Sequence, residues 1–148
     1  MHAQTLENIV PKIVKLVIKS KQLLSLYSSS VAAGFPSPAD DHIEGKLDLN
    51  NYLVKHPSAT FFVRVAGNSM INAGIHNNDI LIVDRSSEAR HGKIIIATID
   101  GQMTVKRLYQ RSGKTILIPE NKDFKPIEIF DFTDAMIWGV VTNVIHSV

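Results

Sequence analysis

Asp100-Gly101 separates two runs rich in β-branched residues, 93–99 and 102–108. An Asp-Gly pair between such runs is a strong tight-hairpin signal, so the two are expected to pair as antiparallel neighbours. From residue 60 onward the chain repeats this arrangement. Candidate strands at 60–66, 79–84, 93–99, 102–109, 115–119 and 136–146 are separated by Asn77-Asn78, His91-Gly92, Asp100-Gly101 and Ser112-Gly113. Many short strands with few helices constrain the chain to a mostly β body, folded or rolled onto itself. A length of 148 residues is enough for one domain with a real core. Strand alternation then puts Thr104, Lys106 and Leu108 on one face of their strand and Met103, Val105 and Arg107 on the other.

The first third of the chain reads differently. Pro11 is placed to open a helix. Ile13, Leu16, Val17, Leu23, Leu24 and Tyr27 would then lie on one side and Lys12, Lys15 and Lys19 on another, with a stop at Ser28-Ser29-Ser30. Lysines cut this stretch every few positions, against the unbroken apolar region a secretory signal needs. No run approaches the ~20 apolar residues of a membrane span. Residues 28–41 carry Gly34, Pro36, Pro38 and Asp40-Asp41 and read as an exposed linker. The net charge of +2 is too small to argue for nucleic-acid binding. Lys12, Lys15, Lys19 and Lys21 stand against Glu7 alone in the arm, so the body is close to neutral. The absence of cysteine excludes disulfides, thiol nucleophiles and Cys-type zinc sites, and is compatible with a reducing cytoplasm. His2, His42, His56, His76, His91 and His146 show no metal-ligand spacing and read as structural or exposed. Asp79 and Asp84 read as turn and surface groups, and Trp138 as core or interface.

Chemistry is concentrated in Ala66-Gly67-Asn68-Ser69-Met70-Ile71. Gly67 breaks the preceding strand, so Ser69 sits at a strand-to-turn junction where its hydroxyl can face open space. A serine needs a base to take its proton. Lysine serves as that base in Ser-Lys variants of the triad, and Lys106 lies in the right kind of strand. The amine must be neutral, which from a reference pKa of ~10.4 takes about 4–5 kcal/mol of differential interaction, within reach of burial. Taken alone, Ser69 is a turn serine and Lys106 a solvated strand lysine; their flanking motifs join them.

Gly67-Asn68-Ser69-Met70, the following Gly74-Ile75-His76-Asn77-Asn78-Asp79-Ile80-Leu81-Ile82-Val83-Asp84, and Thr104-Val105-Lys106-Arg107-Leu108 resemble the LexA/UmuD family of self-cleaving Ser-Lys proteases. Ala33-Gly34-Phe35-Pro36-Ser37-Pro38-Ala39 resembles the family's cleavage site. Asp48-Leu49-Asn50 and His56-Pro57-Ser58-Ala59-Thr60 resemble its translesion-synthesis branch, the UmuD type. The likeness spans roughly residues 32–146, with no matching motif in the first thirty or so.

The resemblance implies a C-terminal β-body of short, highly curved antiparallel strands with a flexible N-terminal arm containing one short helix. Residues 1–33 would be the arm removed by self-cleavage, and 34–148 the protease and dimerisation domain. Ser69 would be the nucleophile, Lys106 the general base and Ala33-Gly34 the bond cut, with Asn68 and Met70 bordering the substrate groove or the oxyanion site. The family acts as a homodimer. Cleavage is stimulated by the RecA–single-stranded DNA filament in the SOS response, and the trimmed dimer joins a UmuC-type polymerase subunit in error-prone translesion synthesis. Contact with the replicative sliding clamp stays open. No cofactor, metal, membrane or direct sequence-specific DNA binding is expected, and the location is cytoplasmic. The rival readings are a LexA-like or phage-type regulator without its DNA-binding domain, a signal peptidase without its anchor, and a non-catalytic dimeric binding module. The residues ahead of Gly34 are too few for a helix-turn-helix domain and linker, which favours the UmuD type.

Overall fold

The computed structural model describes residues 13–15, 21–27, 31, 33–34 and 43–148. The chain divides into two compact units, Val17–Lys55 and the remainder.

The smaller unit holds a two-stranded antiparallel sheet of β2 (Leu23–Tyr27) and β3 (Ile43–Asp48), in which Leu24 lies opposite Leu47. A short helix, α1 (Leu49–Leu53), follows directly. Asp48 caps it by accepting a hydrogen bond from the Asn50 N–H at 3.1 Å, meeting one of the unpaired donors of a helix start. Ala33 and Gly34 lie exposed in an irregular stretch of this unit.

The larger unit is built on an eight-stranded antiparallel sheet in the order β1-β4-β5-β10-β6-β7-β8-β9. Its strands are β1 (Ile13–Lys15), β4 (Thr60–Arg64), β5 (Ile80–Asp84), β6 (Ile94–Ile99), β7 (Gln102–Arg111), β8 (Lys114–Ile118), β9 (Ile127–Ile129) and β10 (Ala135–Ile145). Asp100 and Gly101 have φ of 49° and 79°, and Ser112 and Gly113 have 54° and 73°. Positive φ at both central residues is what a type I′ hairpin requires, and it sets Ile99 opposite Gln102 and Arg111 opposite Lys114.

The sheet is buried on both faces at its centre. One cluster joins Val63, Val65, Met70, Ile75, Leu81, Val83 and Ile96; the other joins Ile95, Ala97, Leu108, Leu117 and Val140. Ile95 and Ile96 are neighbours that serve different clusters, as the two-residue period of a strand demands. Long β10 spans the fold by pairing with β6 through one half and β5 through the other, with register shifts between Ile137 and Gly139 and between Val141 and Asn143. Such bulges bend a strand and raise its twist. Gly139 is forced by packing, since a Cβ there would lie 2.6 Å from Val83 Cγ1. Trp138 packs edge-on to Phe61, with the Arg85 guanidinium 4.5 Å above its ring.

The expected arm helix is not found in the described residues. Ile13–Lys15 is a strand on the edge of β4, Ile13 opposite Val63, and Leu23–Tyr27 is a strand of the smaller unit. Backbone partners from distant chain outweigh the helical spacing, and β-branched Ile13 and Val14 suit an extended strand. Residues 1–12 and 16–20, which carry the rest of that expected helix, lie outside the described residues, as does most of the 28–41 linker. Among the described residues no helix is long and apolar enough to cross a membrane.

Candidate active site

The turn that carries Ser69 is held from several directions. Where β4 ends, the Val65 N–H donates to the Asp79 carbonyl at 2.8 Å, and the Asn78 N–H donates to the Val65 carbonyl at 2.9 Å. Gly67, at φ 90°, then turns the chain, its N–H donating to Asn77 Oδ1 at 2.8 Å; a side chain there would be strained. Beyond the turn, Met70 is buried in the first core cluster. The Glu120 N–H donates to the Ser69 carbonyl at 2.9 Å, the Asn72 N–H to the Glu120 carbonyl at 2.8 Å, and Asn121 Nδ2 to the Asn68 carbonyl at 2.8 Å. The Glu120 carboxylate is paired with the Arg107 guanidinium, which also donates to the Gly92 carbonyl at 2.6 Å. A serine turn tied to two other segments has little freedom to swing away.

Lys106 arrives from β7, opposite Ile95 and on the same face as buried Leu108. It is only 7% exposed. Nζ lies 3.1 Å from Ser69 Oγ, 2.7 Å from Thr104 Oγ1 and 3.0 Å from the Val105 carbonyl. All three partners are neutral oxygens. Burial therefore pushes the lysine pKa below its ordinary value, because desolvation disfavours the charged form and no anion among the described residues offsets it. The number of partners suits the neutral amine. Its two N–H bonds can serve Val105 and Thr104, which leaves the lone pair for the Ser69 hydroxyl proton.

A cavity of about 360 Å³ opens over the pair, lined by residues 63–69 and 103–106 together with Asn77, Leu81, Ile96 and Phe124. Among the described residues that line it there is no carboxylate, imidazole or thiol. Asn68 lines it; the Met70 side chain belongs to the core instead. At 3.1 Å the amine and hydroxyl are within the reach that proton transfer requires.

Asp79 and Asp84 are not surface groups. Both are 4% exposed. Asp84 accepts hydrogen bonds from His56 Nδ1 at 2.6 Å, the Ser86 N–H at 2.8 Å, Ser86 Oγ at 2.6 Å and Ser87 Oγ at 2.9 Å. Burial raises its pKa, but these bonds outweigh burial and hold it well below the usual carboxylate range. Sequence reasoning also missed Glu120 and Asn121, which tie down a turn some fifty residues away, Glu120 through its backbone and Asn121 through its side-chain amide. Thr104 had a signal, because strand alternation sets it on the Lys106 face.

Residues 25–142 match the profile of the family described as Peptidase S24-like. The chain is 45% identical over 122 residues to Protein ImpA of Salmonella typhimurium, covering 82% of each. It is 46% identical over 121 residues to Protein MucA of Escherichia coli, covering 81% of this chain and 82% of that protein. With Protein SamA of Salmonella typhimurium it shares 43% over 122 residues, covering 82% and 84%. The resemblance to the LexA/UmuD family read from the motifs around Ser69 and Lys106 agrees with these matches.

Proposed function

The chain belongs to the peptidase S24-like family, and on that premise we propose that it is a self-cleaving serine peptidase of UmuD type, cutting its own Ala33-Gly34 bond in the SOS response. The observation that carries this reading is the buried Lys106 amine 3.1 Å from Ser69 Oγ, with only neutral oxygens around it. Neutral Lys106 takes the hydroxyl proton as Ser69 attacks the Ala33 carbonyl. The oxyanion that forms needs backbone N–H donors, and the turn at Asn68 and Ser69 supplies them. The lysine then returns the proton to the departing Gly34 amine, and water releases the acyl group from Ser69.

The RecA–single-stranded DNA filament acts as an allosteric partner that favours the conformer with the cleavage segment in the groove. Removal of residues 1–33 strips β1 from β4, freeing a sheet edge whose backbone groups can take another strand. Cleavage is thus an interaction switch. The trimmed homodimer serves a UmuC-type polymerase subunit in translesion synthesis.

The test uses untagged full-length protein at alkaline pH, with and without activated RecA filament, followed by intact mass spectrometry. The expected product starts at Gly34, accumulates faster with filament, and is absent from Ser69→Ala. A Ser69→Ala protein that still cuts at this bond would refute the reading.

A further inference from the structure

We propose that His76, Asp79 and His146 form a binding site for a divalent transition metal ion of the zinc type. The three residues converge because of the fold. Ile145 lies opposite Ile80 in the β10–β5 ladder, so the antiparallel register brings His146 to Asp79. His76 reaches the same carboxylate through a tight turn, in which the Asp79 N–H donates to the His76 carbonyl at 3.1 Å. One ligand atom from each of the three lies within 4.8 Å of the others.

The details suit a metal better than a chance cluster. His146 Nδ1 donates to Asp79 Oδ1 at 2.6 Å. His76 Nδ1 is 3.7 Å from Asp79 Oδ2, buried, and without a hydrogen-bond partner among the described residues. An unpaired buried nitrogen beside a buried carboxylate is a ligand atom with nothing to bind. The His76 N–H donates to Asp79 Oδ2 at 2.7 Å, fixing the carboxylate as outer-shell bonds do in metal sites. Two imidazoles and a carboxylate form a zinc-type donor set; magnesium and calcium call for oxygen ligands. Bonds of about 2.0–2.2 Å would place tetrahedral ligands roughly 3.3–3.6 Å apart. The histidine side chains are 44% and 42% exposed, so His76 can close from 3.7 Å and His146 can open from 2.6 Å to reach that spacing. The proton between His146 Nδ1 and Asp79 leaves as the ion enters, and a fourth position stays open for water. None of the three residues lines the groove over Ser69, so this site stands independently of the peptidase reading. A bound ion would fasten the end of β10 to the loop that follows the serine turn.

The experiment is a titration of untagged, metal-free full-length protein with zinc chloride by calorimetry, and with cobalt chloride by visible absorption. One equivalent of zinc is expected to bind, to be removed by EDTA, and to be unaffected by excess magnesium. Cobalt should give the intense visible bands of a four-coordinate site. Losing a group that merely orients a ligand costs about 10–100-fold in affinity, so His76→Gln and His146→Gln should each cost at least that. Zinc should raise the melting temperature of the wild type and not of the double variant, whose metal-free melting temperature controls for folding. Absence of a one-equivalent event, or zinc affinity unchanged in the double variant, would overturn the proposal.

Discussion

Lys106 and Asp84 are both almost fully buried, and both have a lowered pKa, yet the fold treats their charges in opposite ways. Asp84 receives four hydrogen bonds from His56, Ser86 and Ser87, so its charged form is the favoured one. Lys106 meets three neutral oxygens and, among the described residues, no anion, so its charged form is the disfavoured one. A lowered pKa means a secure anion in one place and a reluctant cation in the other. The first arrangement anchors structure. The second gives up its proton readily, as the proposed base must.

The comparison can be tested at four depths. Ser69→Ala or Lys106→Ala should reduce self-cleavage by about four orders of magnitude or more, as loss of a nucleophile or base does elsewhere, while thermal melting still shows a folded protein. Asp84→Ala should do the reverse. It removes the carboxylate that accepts from His56, Ser86 and Ser87 and should cost about 1.5–3 kcal/mol of stability, read by denaturant unfolding, with cleavage well below the melting temperature little altered. The sign of its pH dependence follows from the depressed pKa. The carboxylate contributes stability above its unfolded pKa, and that contribution is lost as pH falls through the acid range towards the folded value. The Asp84→Ala protein should therefore have a flatter acid stability profile than the wild type.

Glu120→Ala removes the ion pair with Arg107 but keeps the backbone bonds to the serine turn. Both side chains are partly exposed, and such a pair is worth about 0.2–1 kcal/mol; slowing of cleavage by about three- to fivefold is expected in single-turnover assays. Thr104→Val removes one acceptor that steadies the Lys106 ammonium. Its acid limb in the pH–rate profile should move to lower pH, with the maximal rate within about twofold of wild type, since a single neutral hydrogen bond contributes about 1 kcal/mol.

Much of the strand that carries Lys106 was legible beforehand. Asp100-Gly101 and Ser112-Gly113 announced their hairpins through local φ preferences, and those hairpins fix which residues share a face with Lys106. Gly67 likewise marked the turn at Ser69. What escaped reading depends on contacts between distant parts of the chain. Ile13–Lys15 has helical spacing but an extended backbone because β4 offers it a ladder. Asp79 and Asp84 look like turn acids beside a strand; their burial follows from the packing of β5 between β4 and β10, and their histidine partners His146 and His56 lie 67 and 28 residues away. Glu120 carries no sequence mark of its link to Ser69, because its N–H and carbonyl do the tying.

The central claim is that burial makes Lys106 give up its proton more readily than ordinary lysines do. Lysine side-chain ¹³Cε resonances of Ser69→Ala protein, which stays intact, can be followed against pH, with the Lys106→Ala spectrum identifying the signal. Titration of that resonance clearly below the other lysines is the predicted result. Titration together with the solvent-exposed lysines would contradict the account.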